Sequence, residues 1–376
     1  MPEKYHITYL MGAGASAKGI PIVSEFNSIP KLAMEYIDTL SINISIKTKI
    51  KIVLEKYQTE FESASSMDTL AKRYYQTDES RLVYFEYKLF LELIFCFCHF
   101  KKKKKQYFEN TLMETASYGF EHSNIDSRYE NLIRTIGEKT DNPSKLLKVE
   151  IPNNFDFISW NYDIHFESAI INNLYDKNNE FKAYEEFLGI TNENSLYTGA
   201  KLLKLNGSSI NDNIVKNVFN RKEPATHSQV EYPDIHLIDA LEKIIENYEN
   251  SLNQDKGPES SSIKFGWENQ NDDDLKEKLK KIAEKTDILV LIGYSFPTVN
   301  RLVDQAFFKS LEEKDSKVQI YTQGKDFSDS VKIEKLLNQC YSNNKAPFDI
   351  FPVEGGDFFY VPAQYFETKD ETVQVW

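Results

Sequence analysis

The sequence is short of cysteine, of positive charge and of long apolar runs, and each shortage removes a class of function. Only Cys96, Cys98 and Cys340 occur in 376 residues, and no two of them form a Cys-x-x-Cys pair. Neither a zinc ribbon nor a disulfide framework is implied, so no metal and a reducing compartment are expected. Cys96 and Cys98 lie in Phe95-Cys96-Phe97-Cys98 and read as core. Lys and Arg number 45 against 58 Asp and Glu, a formal net charge of −13. Non-specific nucleic-acid binding needs a basic footprint, so direct binding is not expected. The run Lys101–Lys105 cuts against this; it reads as a solvated turn between helices or as a local patch for a nucleic acid or an acidic partner. The longest apolar stretch, Leu89–Phe100, contains Glu92 and is too short to cross a bilayer. The segment Met1–His6 has no signal-peptide pattern. A soluble, cytoplasmic protein without a membrane partner is the expectation.

Apolar residues make up 41% and charged residues 27%, ordinary for a globular chain of this length. The pattern alternates between strands and helices. A first strand, Tyr5–Met11, runs into a glycine-containing turn. Residues 29–150 then read as helical. Leu32, Met34, Tyr36, Ile37 and Leu40 suggest one helix; Ile50, Val53, Leu54 and Tyr57 keep i, i+3, i+4, i+7 spacing; Tyr129, Leu132, Ile133 and Ile136 suggest a third. Leu82 to Phe97 is apolar nearly all round, as in a buried helix. Later strands are expected at Phe155–Trp160, Lys201–Leu205, Asp287–Ile292 and Lys317–Tyr321, with another at Phe348–Phe351. Helical or polar segments between them give an α/β fold with a Rossmann-like parallel sheet. The organisation expected is a nucleotide-binding domain from residues 1–28 and 151–376, a helical insertion over 29–150, and a polar insertion over about 209–285. The stretch Lys256–Ser262 reads as a loop.

Each expected strand ends in a polar or glycine-bearing motif. These are Gly12-Ala13-Gly14-Ala15-Ser16, Asn161-Tyr162-Asp163, Asn206-Gly207-Ser208-Ser209, Gly293-Tyr294-Ser295-Phe296-Pro297 and Thr322-Gln323-Gly324. In an open parallel sheet, ligands bind beyond the carboxyl ends of the strands, so the motifs converge on one crevice. Gly12 and Gly14 permit a tight turn and close approach of backbone N–H groups to a diphosphate. A dehydrogenase needs a second strand ending in an acid about 20 residues later. That region reads as helix, with Glu35 inside it, which argues against hydride transfer.

On these residues the chain resembles the sirtuin family, in particular the sirtuin-like proteins of bacterial antiphage defence. Gly12–Ser16 followed by Gly19-Ile20-Pro21 is similar to the family's first motif, Trp160-Asn161-Tyr162-Asp163 to its Asn-x-Asp motif, and Gly293-Tyr294-Ser295 to its late Gly-x-Ser motif. Lys204-Leu205-Asn206-Gly207-Ser208 stands in the place of its His-Gly motif. The resemblance covers roughly residues 5–28, 151–209 and 285–355. It implies a sirtuin-type Rossmann domain with NAD⁺ as substrate. The Gly12, Ala13, Gly14, Ala15 and Ser16 loop, with Pro21, would hold the diphosphate. Asn161 would sit by the nicotinamide ribose, and Asp163 would bond the carboxamide. Gly207 and Ser208 would line the site beside Asn206. Gly293 and Ser295 would face the adenosine side, and Gln323 or Thr322 the adenine ribose.

The departures direct the functional reading. The zinc ribbon of sirtuin deacylases is missing. The family's Asp-Phe-Arg is here Ile22-Val23-Ser24. Both favour NAD⁺ hydrolysis to nicotinamide and ADP-ribose, depleting NAD⁺ in abortive infection, over peptide deacylation. Asn206 replaces the family histidine, and an amide accepts no proton at neutral pH. Asp163, His165, His227 and Glu268 are candidate substitute bases, Glu268 reading equally as an aromatic-flanked interface anchor. The rival reading is a non-catalytic sensor of NAD⁺ or ADP-ribose; an ADP-ribosyltransferase is a third. The family analogy suggests a hetero-complex with a HerA-type ATPase or an Argonaute-like protein, and self-assembly into a homo-oligomer is the other expectation.

Overall fold

The computed structural model describes residues 4–20, 28–64, 66–100, 126–139, 149–171, 201–210, 235–252, 261–314, 316–341 and 345–366. Strand β1 (Ile7–Met11) is followed by helices α1 (Ile29–Thr39), α2 (Ile44–Ser63), α3 (Met67–Thr77), α4 (Leu82–Phe100) and α5 (Ser127–Ile136). A short antiparallel pair, β2 (Glu138–Lys139) and β3 (Val149–Glu150), precedes β4 (Phe155–Ser159), α6 (His165–Ile171) and β5 (Lys201–Lys204). Then come α7 (Ile235–Leu252), α8 (Asp273–Lys285), β6 (Ile288–Ile292), α9 (Arg301–Glu312), β7 (Gln319–Gln323), α10 (Phe327–Gln339) and β8 (Asp349–Val353). Side chains of Asp126, Asp272 and Asp326 accept backbone N–H groups at the starts of α5, α8 and α10, so acidic N-caps set these boundaries.

Six strands form one parallel sheet in the order β5-β4-β1-β6-β7-β8. Counted along the chain this is 3-2-1-4-5-6, the doubly wound Rossmann-like order, which reverses direction between β1 and β6. Every residue of β1, β4 and β6 is buried, because helices cover both faces. Ile7, Tyr9 and Met11 point into one core with α1 to α5 and α7, while Leu10 points into a second with α8, α9 and α10. The two-residue alternation of β1 thus divides the molecule into two layers.

Strand β7 extends to Gln323, two residues beyond the expected end, because Thr322 and Gln323 pair with Leu291 and Ile292 of β6. β8 tolerates Pro352 because it is an edge strand, where one row of N–H groups has no ladder partner. The segment over 209–285 is not simply polar. α7 buries Leu237, Leu241, Ile244 and Ile245 against α4 and joins the helical core. The helices of 29–150 share that same core with one face of the sheet, so no apolar boundary separates them from it.

Candidate functional site

The strand register aligns the motifs. Met11 pairs with Ser159 and Ile292, Ser159 with Lys204, and Ile292 with Gln323. The residues after each strand therefore meet along one carboxyl edge, at the reversal between β1 and β6.

The Gly12–Ser16 turn is welded to the end of β6. Gly12 N–H donates to the Ile292 carbonyl (2.9 Å) and Gly14 N–H to the Gly293 carbonyl (3.0 Å); Ala15 N–H returns to Gly12 (2.9 Å). A Cβ on Gly12 or Gly14 would lie 2.7 or 2.8 Å from the backbone of Gly293 and Tyr294. Gly293 has φ +57°, and a Cβ there would lie 2.5 Å from Gly14. The glycines thus let two loops interpenetrate. The N–H groups of Gly12, Gly14 and Ala15 bond within the protein.

Two asparagines stand buried beyond β4 and β5. Asn161 takes its place because Ser159 Oγ accepts its backbone N–H (3.1 Å); its Nδ2 donates to Ser16 Oγ (3.0 Å). Asn206 Nδ2 donates to the Trp160 carbonyl (2.7 Å), and its Oδ1 is buried with no hydrogen-bond partner among the described residues. Gly207, at φ +65°, turns the chain away and bridges to Ile263, while Ser208 N–H donates to Ser262. Asp163 Oδ1 accepts the His165 N–H (3.1 Å) and so caps α6, and its carbonyl receives Lys204 Nζ.

The remaining expected residues divide. Ser295 is exposed beyond Tyr294. The Gln323 amide is committed: Nε2 donates to Phe358 (2.9 Å) and Glu354 (3.4 Å) carbonyls, and Oε1 accepts the Tyr360 N–H (2.9 Å). It pins the segment after β8. Thr322 Oγ1 likewise donates to Ser330. Pro21, Ile22–Ser24, Lys101–Lys105 and His227 lie outside the described residues.

Two substitute bases are unsuited to the task. His165 is fully buried; burial pushes its pKa below the ordinary histidine value despite Asp163 and Asp126, and its Nδ1 accepts the Asp126 N–H (3.4 Å). Its Nε2 has no partner among the described residues. Glu268 bridges to Lys88 with both oxygens at 3.1 Å and accepts the Phe265 N–H (2.8 Å), anchoring its loop to α4.

The structure adds residues that sequence reasoning missed. From the start of α5, Tyr129 bonds Ser16 Oγ (2.9 Å), and Arg128 reaches the carbonyls of Ala15 (3.0 Å) and Gly14 (3.4 Å). Asp126 holds Arg128 at 2.6 Å and accepts the Lys18 N–H at 3.1 Å. The Asp-x-Arg spacing at a helix start was the available signal. On the other side, Asp304 of α9 accepts bonds from Trp160 Nε1 (3.2 Å) and Tyr294 OH (2.7 Å), tying the ends of β4 and β6 together. Burial pushes its carboxyl up to about 7, against the lowering effect of those two donors. Among the described residues no group of three or more His, Cys, Asp or Glu could hold a metal ion. No helix there is long and apolar enough to cross a membrane. No known family model matches the chain, and no curated protein is similar to it.

Proposed function

We propose that the chain is a sirtuin-like NAD⁺ glycohydrolase, taking NAD⁺ at the carboxyl ends of β1, β4, β5 and β6 and releasing nicotinamide and ADP-ribose. The observation that carries this reading is the pair of buried amides beyond the carboxyl ends of β4 and β5. Asn161 and Asn206 each use Nδ2 for a protein acceptor, which leaves Oδ1 as the atom to offer a ligand. The buried Oδ1 of Asn206 lacks a donor, and a ribose hydroxyl or a water supplies one.

Acceptor ends suit this chemistry. The nicotinamide leaves neutral from a cationic pyridinium, and positive charge moves onto the ribose as in glycoside hydrolysis. Water adds at the anomeric carbon as the glycosidic bond breaks, and its surplus proton passes to solvent. Oriented carbonyl oxygens stabilise the developing cation and hold the water without removing its proton beforehand. A base typically contributes about 10²–10⁴-fold, so this site is expected to be slower than one carrying histidine.

A sensor that binds NAD⁺ or ADP-ribose without cleaving it is the second reading. It is favoured by the neutral, buried state of His165 and by the absence of a base at Asn206. Depletion of NAD⁺ in antiphage defence, and assembly with itself, a HerA-type ATPase or an Argonaute-like protein, belong to the proposal through the sirtuin resemblance. The test is incubation of the purified chain with NAD⁺, alone and with candidate partners, while nicotinamide, ADP-ribose and labelled protein are quantified. Nicotinamide release that disappears in folded Asn161→Ala supports hydrolysis. Binding without release over hours supports the sensor, and labelled protein supports ADP-ribosyl transfer.

A further inference from the structure

The start of α5 belongs to the helical insertion, yet its side chains reach the loop and the amide on which the NAD⁺ reading depends. Asp126 is 1% exposed and Arg128 6%. Arg128 donates Nε and Nη2 to Asp126, at 2.9 and 2.6 Å, and Nη2 also to the carbonyls of Gly14 and Ala15. Asp126 in turn accepts the N–H of Lys18, so the pair grips the turn on both sides of Ser16. The guanidinium lies over the Phe359 ring at 5.0 Å. The planar fork fits this arrangement, because a carboxylate and two carbonyls are bound at once; a lysine ammonium lacks that geometry.

Tyr129, one residue on, acts at the amide. Its hydroxyl bonds Ser16 Oγ, and that oxygen accepts Nδ2 of Asn161. Two donor-capable groups, Tyr129 OH and Asn161 Nδ2, therefore converge on Ser16 Oγ. A hydroxyl donates as well as accepts, so the Tyr129 bond fixes where Ser16 Oγ sits, and Asn161 Nδ2 meets it there. Asn161 is thereby held at the turn through Nδ2. The ring of Tyr129 is itself immobilised edge-on to Phe359 at 5.0 Å and to Phe166 at 6.0 Å.

We infer that Arg128 and Tyr129 are positioning residues of the NAD⁺ site: Arg128 sets the Gly12–Ser16 turn and Tyr129, through Ser16, sets the amide of Asn161. This rests on the proposed NAD⁺ reading. The two residues act on different steps, so their substitutions separate. Tyr129→Phe keeps the ring packing and removes one hydrogen bond, and it is expected to lower kcat about fivefold, with KM nearly unchanged. Arg128→Lys is expected to raise KM about tenfold or more, with kcat less affected, since it loosens the turn. It is also expected to speed hydrogen exchange at the amides of Ala15 to Ile20. Ser16→Thr retains the oxygen that holds Asn161 and is expected to keep kcat near wild type, where Ser16→Ala is not.

The experiment is steady-state NAD⁺ kinetics with hydrogen exchange on wild type, Tyr129→Phe and Arg128→Lys, each verified folded by circular dichroism. A lower kcat alone in the first, and a higher KM with faster loop exchange in the second, support the inference. Equal losses of both parameters, or unchanged parameters and exchange beside an active wild type, overturn it while the NAD⁺ reading stands. A wild type that neither binds nor splits NAD⁺ overturns that reading and this inference together. If Arg128→Lys fails to fold, Tyr129→Phe still decides through its kcat.

Discussion

Replacing Asn206 separates the roles of its two amide atoms. In Asn206→Ala the Trp160 carbonyl loses the donor held at 2.7 Å. A buried carbonyl left unpaired costs about 1–3 kcal/mol, which lowers Tm by about 1–4 °C in a chain of this length. The bond proposed from Oδ1 to a ribose hydroxyl or water is also lost, worth about 1 kcal/mol or about fivefold in rate. Asn206→His has a different outcome. Its Nδ1–H can take over the Trp160 carbonyl, leaving Nε2 as a proton acceptor beyond it. The rate is then expected to rise toward about 10²-fold above wild type, climbing with pH through about 6.5 as the imidazole loses its proton. The residue is only 4% exposed, so the larger ring strains its surroundings and rates must be referred to the folded fraction. The assay is nicotinamide release from pH 5 to 9 for wild type, Ala and His. A folded Ala variant with wild-type kcat and KM, or a His variant with no pH limb of its own, refutes a role for this side chain at the reacting ribose.

Other substitutions test the frame around the site. Gly293→Ala meets Gly14 and must hold a left-handed backbone, so it is expected to cost about 1–2 kcal/mol from backbone strain alone, and more from the clash, read as a lower denaturation midpoint. Lys88→Met leaves Glu268 beside α4 without its cation and is expected to cost about 3–5 kcal/mol, largely recovered in the double variant with Glu268→Gln; additivity of the two losses in urea unfolding would rule out the coupling. Asp304 titrates at about 7 in the folded protein against 3.8 in its ordinary state, so the folded state binds the proton more tightly. Its contribution is full below about pH 4 and is lost as pH rises through about 7; Asp304→Asn is expected to flatten that part of the pH–stability curve, and an unaltered slope between pH 5 and 8 contradicts the assignment.

The sheet was legible because its central strands are short apolar runs ended by glycine or asparagine. Ile7–Met11 and Ile288–Ile292 are buried on both faces, and composition alone announces that. The edge was read less well. The expected strand at Lys317–Tyr321 missed Thr322 and Gln323, which look like loop polars but pair in the ladder. α7 was hidden because its apolar face is diluted by Glu242, Lys243, Glu246 and Asn247 on the other side. At the site, the strand-end motifs were visible, but their partners were not. Which N–H of a glycine loop meets a neighbouring carbonyl depends on the register between β1 and β6, and that is not written locally in either segment. Arg128 and Tyr129 escaped for the same reason: periodicity marks them as helix and says nothing of the turn they grip.

The welded turn has a consequence for biosynthesis. β1 leaves the ribosome first but becomes an interior strand whose neighbours are Phe155–Ser159 and Ile288–Ile292. At about 5–20 residues per second, the second neighbour arrives tens of seconds after the first strand. Until then one hydrogen-bonding edge of a strand with no charged residue stays open, an adhesive surface that chaperones or the emerging helices must shield. Gly12 and Gly14 likewise have nothing to lock onto before Gly293 is made. A nascent or truncated chain therefore carries the asparagines without the completed crevice. Whatever the crevice binds, an incomplete copy does not present it.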